Sequence, residues 1–363
     1  MIPIMRPELP PLERYVELLK RVWDSHMLSN FGPLAQEFEK KAQIYLGNPN
    51  VRAIASGDIG LIAAIASLEI PEGSEVILPS FTFNSTVNAV LWNRLKPVFA
   101  DIDAATFNAD PVDIARRATP ATKLVLATHV FGNPCDADAI AKAVPGVPLI
   151  IDAAHGYGSK YRGRAIGGGT LAAFEVFSFS GTKLVTSAEG GLVAPRDATL
   201  AKAIEYRRAY GFQGDYESQM MGLNGKLSEL NAALGVLTMD LVERAIARRL
   251  VIVARYRAAL GDIGGVSFQQ VDARDRSTFK DFAILIRDTA TRDRVEAALT
   301  AEQIQTKRYF RPAHAMRAFR KYAAGPLPRT EDVYARILCL PIFNELEGAD
   351  VDRIAGIVRR AAR

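Results

Sequence analysis

Between Val51 and about Pro195, short apolar runs alternate with stretches whose hydrophobic residues recur at helical spacing. Short apolar runs bounded by turn residues read as buried strands. Seven stand in order: Val51 to Ile54, Glu75 to Leu78, Lys96 to Ala100, Lys123 to Thr128, Pro148 to Asp152, Phe174 to Phe179 and Gly191 to Val193. Strand alternating with helix predicts an α/β architecture, a mainly parallel seven-stranded sheet sandwiched by helices. Ahead of this region lie a proline-rich arm, a helix from Pro11 to Trp23 and a loop from Leu28 to Pro33. Gly32-Pro33 then starts a helix that runs through Phe38 and Ala42.

Beyond the strand-rich region, Leu227 to Ala258 keeps helical periodicity, with Asn231, Leu234, Leu237, Leu241, Ala245 and Leu250 as its inner stripe. The remainder is α+β. Strands are expected at Gly265 to Phe268, Phe282 to Ile286 and near Ile304 to Thr306, and helices from Thr291 to Leu299 and from Ala349 onward. The expected organisation is an N-terminal arm and helix over 1–30, a large domain over 31–245 and a small C-terminal domain over 246–363. The last boundary falls inside a helix, so composition does not mark it.

A chain of 363 residues buries a substantial core. Its 49% hydrophobic and 23% charged residues are ordinary for a soluble globular protein. The net charge of +5 is mild, and the one basic cluster, Arg359-Arg360 to Arg363, reads as the solvated face of a terminal helix. No nucleic-acid partner is expected, and the excess suits anionic substrates such as sugar nucleotides. Cys135 and Cys339 are the only cysteines and form no ligand spacing with histidine, which argues against a metal site or a disulfide framework. The N-terminus has no signal-peptide pattern, and no apolar run approaches the ~20 residues of a membrane helix. A cytoplasmic protein with no membrane association is expected.

Two strand ends carry the chemistry. The run Val147 to Ile151 leads into Asp152, and the run Ala172 to Phe179 delivers Lys183 just past its end. Ligands of open α/β sheets gather at the carboxyl ends of strands. A lysine and a carboxylate placed there suit pyridoxal 5'-phosphate (PLP), which needs a lysine for its Schiff base and a carboxylate to keep its pyridine nitrogen protonated. Ser56-Gly57-Asp58-Ile59 leads into a helix from Gly60 to Leu68, and a helix N-terminus suits a phosphate. A carboxylate beside a phosphate repels it. The expectation is therefore that the Asp58 side chain caps the helix and leaves the N–H groups of Asp58 and Ile59 for the phosphate.

Further stretches complete the pattern: Ala55 to Leu61, Leu78 to Thr86, Pro97 to Asp103, His129 to Pro134, Asp152 to Gly158, Phe177 to Lys183, Glu189-Gly190-Gly191, Gly222 to Glu229 and Cys339 to Phe343. In these stretches and their order the chain resembles the DegT/DnrJ/EryC1/StrS family, the fold-type-I PLP-dependent sugar aminotransferases. The resemblance implies Lys183 as the Schiff-base residue and general base. It implies Asp152 at the pyridine nitrogen, His155 near the ring's phenolic oxygen, Phe83 stacked on the ring, and Ser178 with Gly57, Asp58 and Ile59 at the phosphate. Asn224 would reach the partner's phosphate in a homodimer with shared sites. Asp58 departs from the family's usual threonine, and Ser180 stands where several relatives have histidine or tyrosine.

The implied function is transfer of an amino group, from L-glutamate, onto a nucleotide-linked keto-sugar. The segments around Trp23 to Pro33 and His129 to Asp136 point to C4 of dTDP-4-keto-6-deoxyglucose, giving dTDP-4-amino-4,6-dideoxyglucose. Asn30, Phe31, Lys226, Tyr309 and His314 are candidates for the rim that holds a long anionic substrate. Alternatives are another nucleotide keto-sugar, a cyclitol ketone, or a PLP-binding regulatory protein without turnover. A dehydratase of the same fold carries histidine in place of the lysine, and Lys183 argues against it.

Overall fold

All seven expected runs pair into one sheet in the computed structural model, which describes residues 1–212, 214 and 216–363. The strands are β1 (Arg52–Ile54), β2 (Glu75–Pro79), β3 (Lys96–Ala100), β4 (Thr122–Thr128), β5 (Leu149–Asp152), β8 (Phe174–Ser178) and β9 (Gly191–Pro195). Between β5 and β8 a small hairpin, β6 (Lys160–Tyr161) and β7 (Arg164–Ala165), stands outside the sheet. The order across the sheet is β1-β9-β8-β5-β4-β2-β3. Strand β9 is antiparallel to both its neighbours, and the other pairs are parallel. The carboxyl ends of β4, β5 and β8 therefore open on one edge.

Helices cover both faces. The helices up to the end of the sheet are α1 (Leu12–Ser25), α2 (Pro33–Leu46), α3 (Gly57–Ala66), α4 (Asn84–Trp92), α5 (Pro111–Arg117), α6 (Ala137–Ala143) and α7 (Ala198–Arg207). Two more follow, α8 (Glu229–Met239) and α9 (Val242–Leu260). Leu124, Leu126 and Ile150 face the layer of α3 and α4, while Val125, Ala127 and Ile151 face α2, α6 and α8. Successive residues of a strand point to opposite faces, so a strand buried on both reads as an unbroken apolar run.

A second antiparallel sheet follows, with β10 (Val266–Phe268), β11 (Phe282–Ile286) and β12 (Ile337–Leu340) in that order. Helix α10 (Thr289–Ala301) precedes α11 (Pro328–Arg336), and α12 (Gly348–Ala361) ends the chain. Val242, Ala245 and Ile246 of α9 belong to the core under the large sheet, whereas Ile252, Val253, Tyr256 and Leu260 belong to that of the small one. The change of core thus occurs inside one helix.

Three expectations need correction. The stretch from Leu227 to Ala258 is not one helix, because it breaks at Asp240-Leu241 without glycine or proline. The break shifts the helical phase, so Leu250 is 40% exposed and Arg249, Ile252, Val253 and Tyr256 face inward instead. The segment Ile304 to Thr306 is not a strand. It makes only an isolated bridge to Ile2, with Ile2 N–H donating to the Gln303 carbonyl and Gln305 N–H to the Ile2 carbonyl, which ties the start of the chain to the small sheet's side of the molecule. Helix α3 starts at Gly57, three residues before the expected Gly60.

Helix α2 begins at Pro33 after Gly32, which offers no capping side chain. The cap comes from Glu229, 1% exposed, whose two carboxylate oxygens accept the N–H groups of Leu34 and Ala35, each at 2.8 Å. A Cβ at Gly32 would lie 2.6 Å from the Glu229 Cδ, so the close approach needs glycine. A carboxylate at a helix N-terminus makes charge-assisted hydrogen bonds and opposes the dipole. Glu229→Ala leaves two buried donors unpaired and is expected to destabilise the protein by about 2–4 kcal/mol. Thermal melts of the two proteins check this, and an unchanged melting temperature would contradict it.

Candidate active site

At the open edge of the large sheet lies a cavity of about 330 Å³. It is lined by the strand ends at Thr128, Asp152 and Ser178, by the start of α3, and by Phe83, His155, Ser180, Lys183, Glu189 and Phe310. Asp152 is the last residue of β5 and sits in register beside Thr128 of β4. Its Oδ2 accepts the Thr86 hydroxyl at 2.7 Å and its Oδ1 accepts the Ala154 N–H at 3.1 Å. Thr82 bridges Thr86 at 2.8 Å and Thr128 at 3.0 Å. Thr86 is in the first turn of α4, and Thr82 lies just before Phe83, the residue that precedes the helix. Burial raises the Asp152 carboxyl above the usual range, while Thr86, Ala154 and the charge of Lys183 pull it back.

Lys183 follows β8 in a tight loop in which its N–H donates to the Ser180 carbonyl at 3.0 Å. Burial, and then the charge of Lys280, push its amine down to about 8, against the pull of Asp152, Asp281 and Asp58. Lys280 and Asp281 form a buried ion pair at 3.1 Å. His155 lies beside a pair of near-parallel rings, 6.4 Å from Phe131 at 13° and 6.2 Å from Phe310 at 24°, the two phenylalanines being 5.5 Å from each other. Burial first, and then the charges of Lys183, Lys280 and Arg249, lower its pKa far below the usual value. The imidazole is therefore neutral at pH 7.

Phe81 and Phe83 part company. Phe81 is fully buried against Phe107, Phe131 and Phe310, whereas Phe83 is 56% exposed on the cavity wall. At the start of α3 the cap is Ser56, whose Oγ accepts the Ile59 N–H at 3.2 Å. This corrects the expectation that Asp58 caps the helix and that the Ile59 N–H is free. The N–H groups of Gly57 and Asp58 are left without a partner among the described residues. Gly57 packs close to Ser178, with a built Cβ 3.1 Å from the serine Cβ. Two hydroxyls, Ser178 and Ser180, line the same end.

The remaining candidates lie elsewhere. Asn224 is exposed and bridges Ala209, and the Lys226 ammonium sits 3.9 Å above the Tyr210 ring. Asn30 and Phe31 form a turn with φ of 64° and 62°, and Arg208 covers the Phe31 ring at 4.5 Å. None of these lines the Lys183 cavity of its own chain. Tyr309 packs on Phe131 and accepts a hydrogen bond from Lys307 at 3.0 Å, one residue from the cavity wall. His314 is outside the cavity: its Nδ1 meets Ser80 at 2.7 Å and its Nε2 meets Glu331 at 3.2 Å, so its ring braces a loop. The threonines around Asp152 and the Lys280–Asp281 pair were not singled out from the sequence. Their only signal was hydroxyl spacing beside a strand end and a Lys-Asp step before an apolar run.

An amine of lowered pKa, an oriented buried carboxylate, an exposed aromatic face and free N–H groups beside two hydroxyls fit PLP. Residues 12–359 match the model of the DegT/DnrJ/EryC1/StrS aminotransferase family. The chain belongs to that family. It is accordingly a PLP-dependent aminotransferase. It is 30% identical to a dTDP-4-amino-4,6-dideoxy-D-glucose transaminase of Escherichia coli, and 32% identical to one of Shigella dysenteriae, each over 98% of both chains. Among solved structures it resembles DesI, determined in the presence of its TDP-sugar product, with a TM-score of 0.91 and 37% identity over 98% of this chain and 92% of that one. It likewise resembles the aminotransferase TlmJ from Streptoalloteichus hindustanus, with a TM-score of 0.92 and 29% identity over 99% and 98% of the two chains.

The Thr86 hydroxyl orients the carboxylate of this aminotransferase without touching its reactants. Thr86→Val removes that hydrogen bond and keeps the shape. Loss of a hydrogen bond to a charged group costs about 1.5–3 kcal/mol. PLP affinity is expected to fall by roughly ten- to a hundredfold, measured by dialysis and the cofactor's visible absorbance. Unchanged affinity would show that Asp152 is held adequately without Thr86.

Proposed function

We propose that this aminotransferase moves an amino group from L-glutamate to C4 of dTDP-4-keto-6-deoxyglucose, giving dTDP-4-amino-4,6-dideoxyglucose. The observation that carries this reading is the end-to-end similarity to two transaminases named for that product, joined by the likeness to DesI with its TDP-sugar product. PLP, when bound, supplies an electrophilic carbon and an electron-accepting ring. Lys183 binds it through Nζ. Once freed, the same Nζ takes a proton from the donor's α-carbon and delivers one to C4 of the acceptor. Asp152 keeps a proton on the pyridine nitrogen. Ser178, Ser180 and the N–H groups of Gly57 and Asp58 would hold the phosphate, Phe83 would offer an apolar face to the ring, and neutral His155 would offer a hydrogen-bonding group on the same cavity wall. Phe131 and Phe310 back the imidazole and exclude water from that side.

The working unit in this proposal is a homodimer. Asn224, Lys226, Asn30 and Phe31 lie outside their own chain's cavity, which suits residues that complete a partner's site. Residues 31–245 serve as the PLP-binding domain, 246–363 as the smaller domain, and 1–30 as an arm and helix. No helix among the described residues is long and apolar enough to cross a membrane, and the proposed place of action is the cytoplasm.

A lysine amine attacks only when neutral, so the rate of PLP capture by apoenzyme should rise with pH through about 8 and level off above it. A free lysine would give that rise near 10.4. Borohydride reduction and peptide mapping should place the pyridoxyl group on Lys183, and a label on another lysine would refute the assignment. For the substrate, the enzyme is incubated with PLP, glutamate and either 4-keto or 3-keto dTDP-sugars, and the new C–N bond is located by NMR. Amination at C4 is expected. Amination at C3, or turnover only of a free cyclitol ketone, would overturn the C4 assignment and leave the aminotransferase intact.

A further inference from the structure

Lys183 belongs to the segment 179–190, which turns the chain from β8 back into the antiparallel β9. Its Nζ makes no hydrogen bond among the described residues, so the backbone of this segment sets where the amine stands. The segment closes on itself: the N–H groups of Phe179 and Ser187 donate to the carbonyls of Gly190 and Phe179, each at 2.8 Å. Ala188 takes a φ of 62°, in the left-handed region that a residue with a Cβ enters at a cost. The carbonyls on either side of it, of Thr186 and Glu189, are held from outside. Thr238 Oγ1 donates to the first at 2.6 Å, and Asn231 Nδ2 donates to the second at 2.6 Å. Among the described residues, these are the two hydrogen bonds that reach residues 180–189 from beyond β8, β9 and the segment itself. Both donors stand on α8 with Gly235 between them, at helical spacing on one face. Gly235 lets that face close on the segment: a built Cβ would lie 3.1 Å from the Ser187 Cβ and 2.5 Å from the Phe38 ring. A glycine inside a helix weakens it, and the close approach accounts for this one. Helix α8 is itself fixed, because Glu229 at its start caps α2 and Lys41 of α2 donates to the Val236 carbonyl at 2.8 Å.

We propose that Asn231, Gly235 and Thr238 are positioning residues for Lys183: this face of α8 fixes the backbone from which the lysine side chain works. The proposal rests on Lys183 as the residue that binds the cofactor. The reaction requires the amine to hold the cofactor, release it and then move a proton, so the side chain must swing while its base stays still. Lysine carries a flexible stem, and any drift of its Cα adds to that freedom. Misplacing a reacting group by about 1 Å costs about a hundredfold in rate. A loop at a strand end is ordinarily among the more mobile parts of a fold, and the strain at Ala188 favours other conformations. The anchors on either side of Ala188 hold the segment in the one observed. Neither Asn231 nor Thr238 lines the cavity, so both act on the chemistry only through the lysine segment.

The test uses the full chain, freed of cofactor for capture and loaded for turnover. It compares wild type with Thr238→Val, Asn231→Ala and the two combined, and with Thr238→Ser, which restores the hydroxyl. Two ligands separate the roles. PLP is captured by Lys183, whereas pyridoxamine phosphate carries an amine in place of the aldehyde and fills the same site without bonding to the lysine. In the combined variant the rate of capture at saturating PLP, followed by visible absorbance, should fall roughly ten- to a hundredfold, and turnover with glutamate should fall with it. Affinity for pyridoxamine phosphate, by calorimetry, should be unchanged, and Thr238→Ser should keep the wild-type rates. Should Thr238→Val fail to fold, Asn231→Ala carries the test alone, because its hydrogen bond lies at the partly exposed end of the face. Unchanged capture rates with the pyridoxyl label on Lys183 would overturn the anchoring and leave the lysine assignment intact. Loss of pyridoxamine phosphate affinity in step with PLP capture would show a general structural role and overturn the anchoring as well. A label on another lysine would overturn the lysine assignment and the proposal together.

Discussion

A carboxylate buried at the end of a central strand is expensive unless it is hydrogen-bonded, and the site around Asp152 is organised to satisfy that requirement. Three threonines converge on it. Thr128 comes from the neighbouring strand, Thr86 from the first turn of α4 and Thr82 from the loop just before that helix, and only Thr86 donates directly. The chain of hydroxyls sets which oxygen points where. It also couples the orientation of Asp152 to the register of β4 on β5 and to the position at which α4 begins.

The amine of Lys183 depends on the same burial with the opposite sign. Desolvation raises an acid and lowers a base, so the same burial tunes both groups towards the neutral form. Their mutual attraction limits each shift. Lys280 and Asp281 add a buried ion pair nearby, and Arg249 donates to the carbonyls of Phe279 and Lys280 at 2.8 and 2.9 Å, fixing that segment. Burial, and then the charges of Lys183, Lys280 and Arg249, hold the His155 imidazole well below its usual pKa.

Glycine sets how closely the elements of the site approach. Gly57 lets the start of α3 lie against Ser178, so that free N–H groups and a strand-end hydroxyl share one corner. In Gly132, with φ at +86°, a built Cβ would meet Thr278 Oγ1 at 1.9 Å and the His155 carbonyl at 2.8 Å. Thr278 in turn donates to that carbonyl at 2.6 Å. The small sheet's side of the molecule thus reaches His155 through a contact that admits no side chain at Gly132.

The hydrophobic pattern by itself determined the seven strands of the large sheet, because a strand buried on both faces needs every residue apolar and leaves an unbroken run. It also determined the carboxylate and the lysine at two strand ends, since polar groups after such runs stand out. Motif resemblance pointed to Phe83 over Phe81, which strict alternation in the sequence left equivalent; the tertiary structure separates them by burying one ring among three others. The break between α8 and α9 carries no glycine or proline, and was decided by the need of one helix to lie under the large sheet and of the next to cross to the small one. The helix cap at Ser56 rather than Asp58, the cap that Glu229 supplies to α2, and the bracing role of His314 likewise depend on three-dimensional placement. Apolar burial is written locally, as a period along the chain, whereas the partner of a polar group is chosen by whichever distant residue the fold brings within hydrogen-bonding distance.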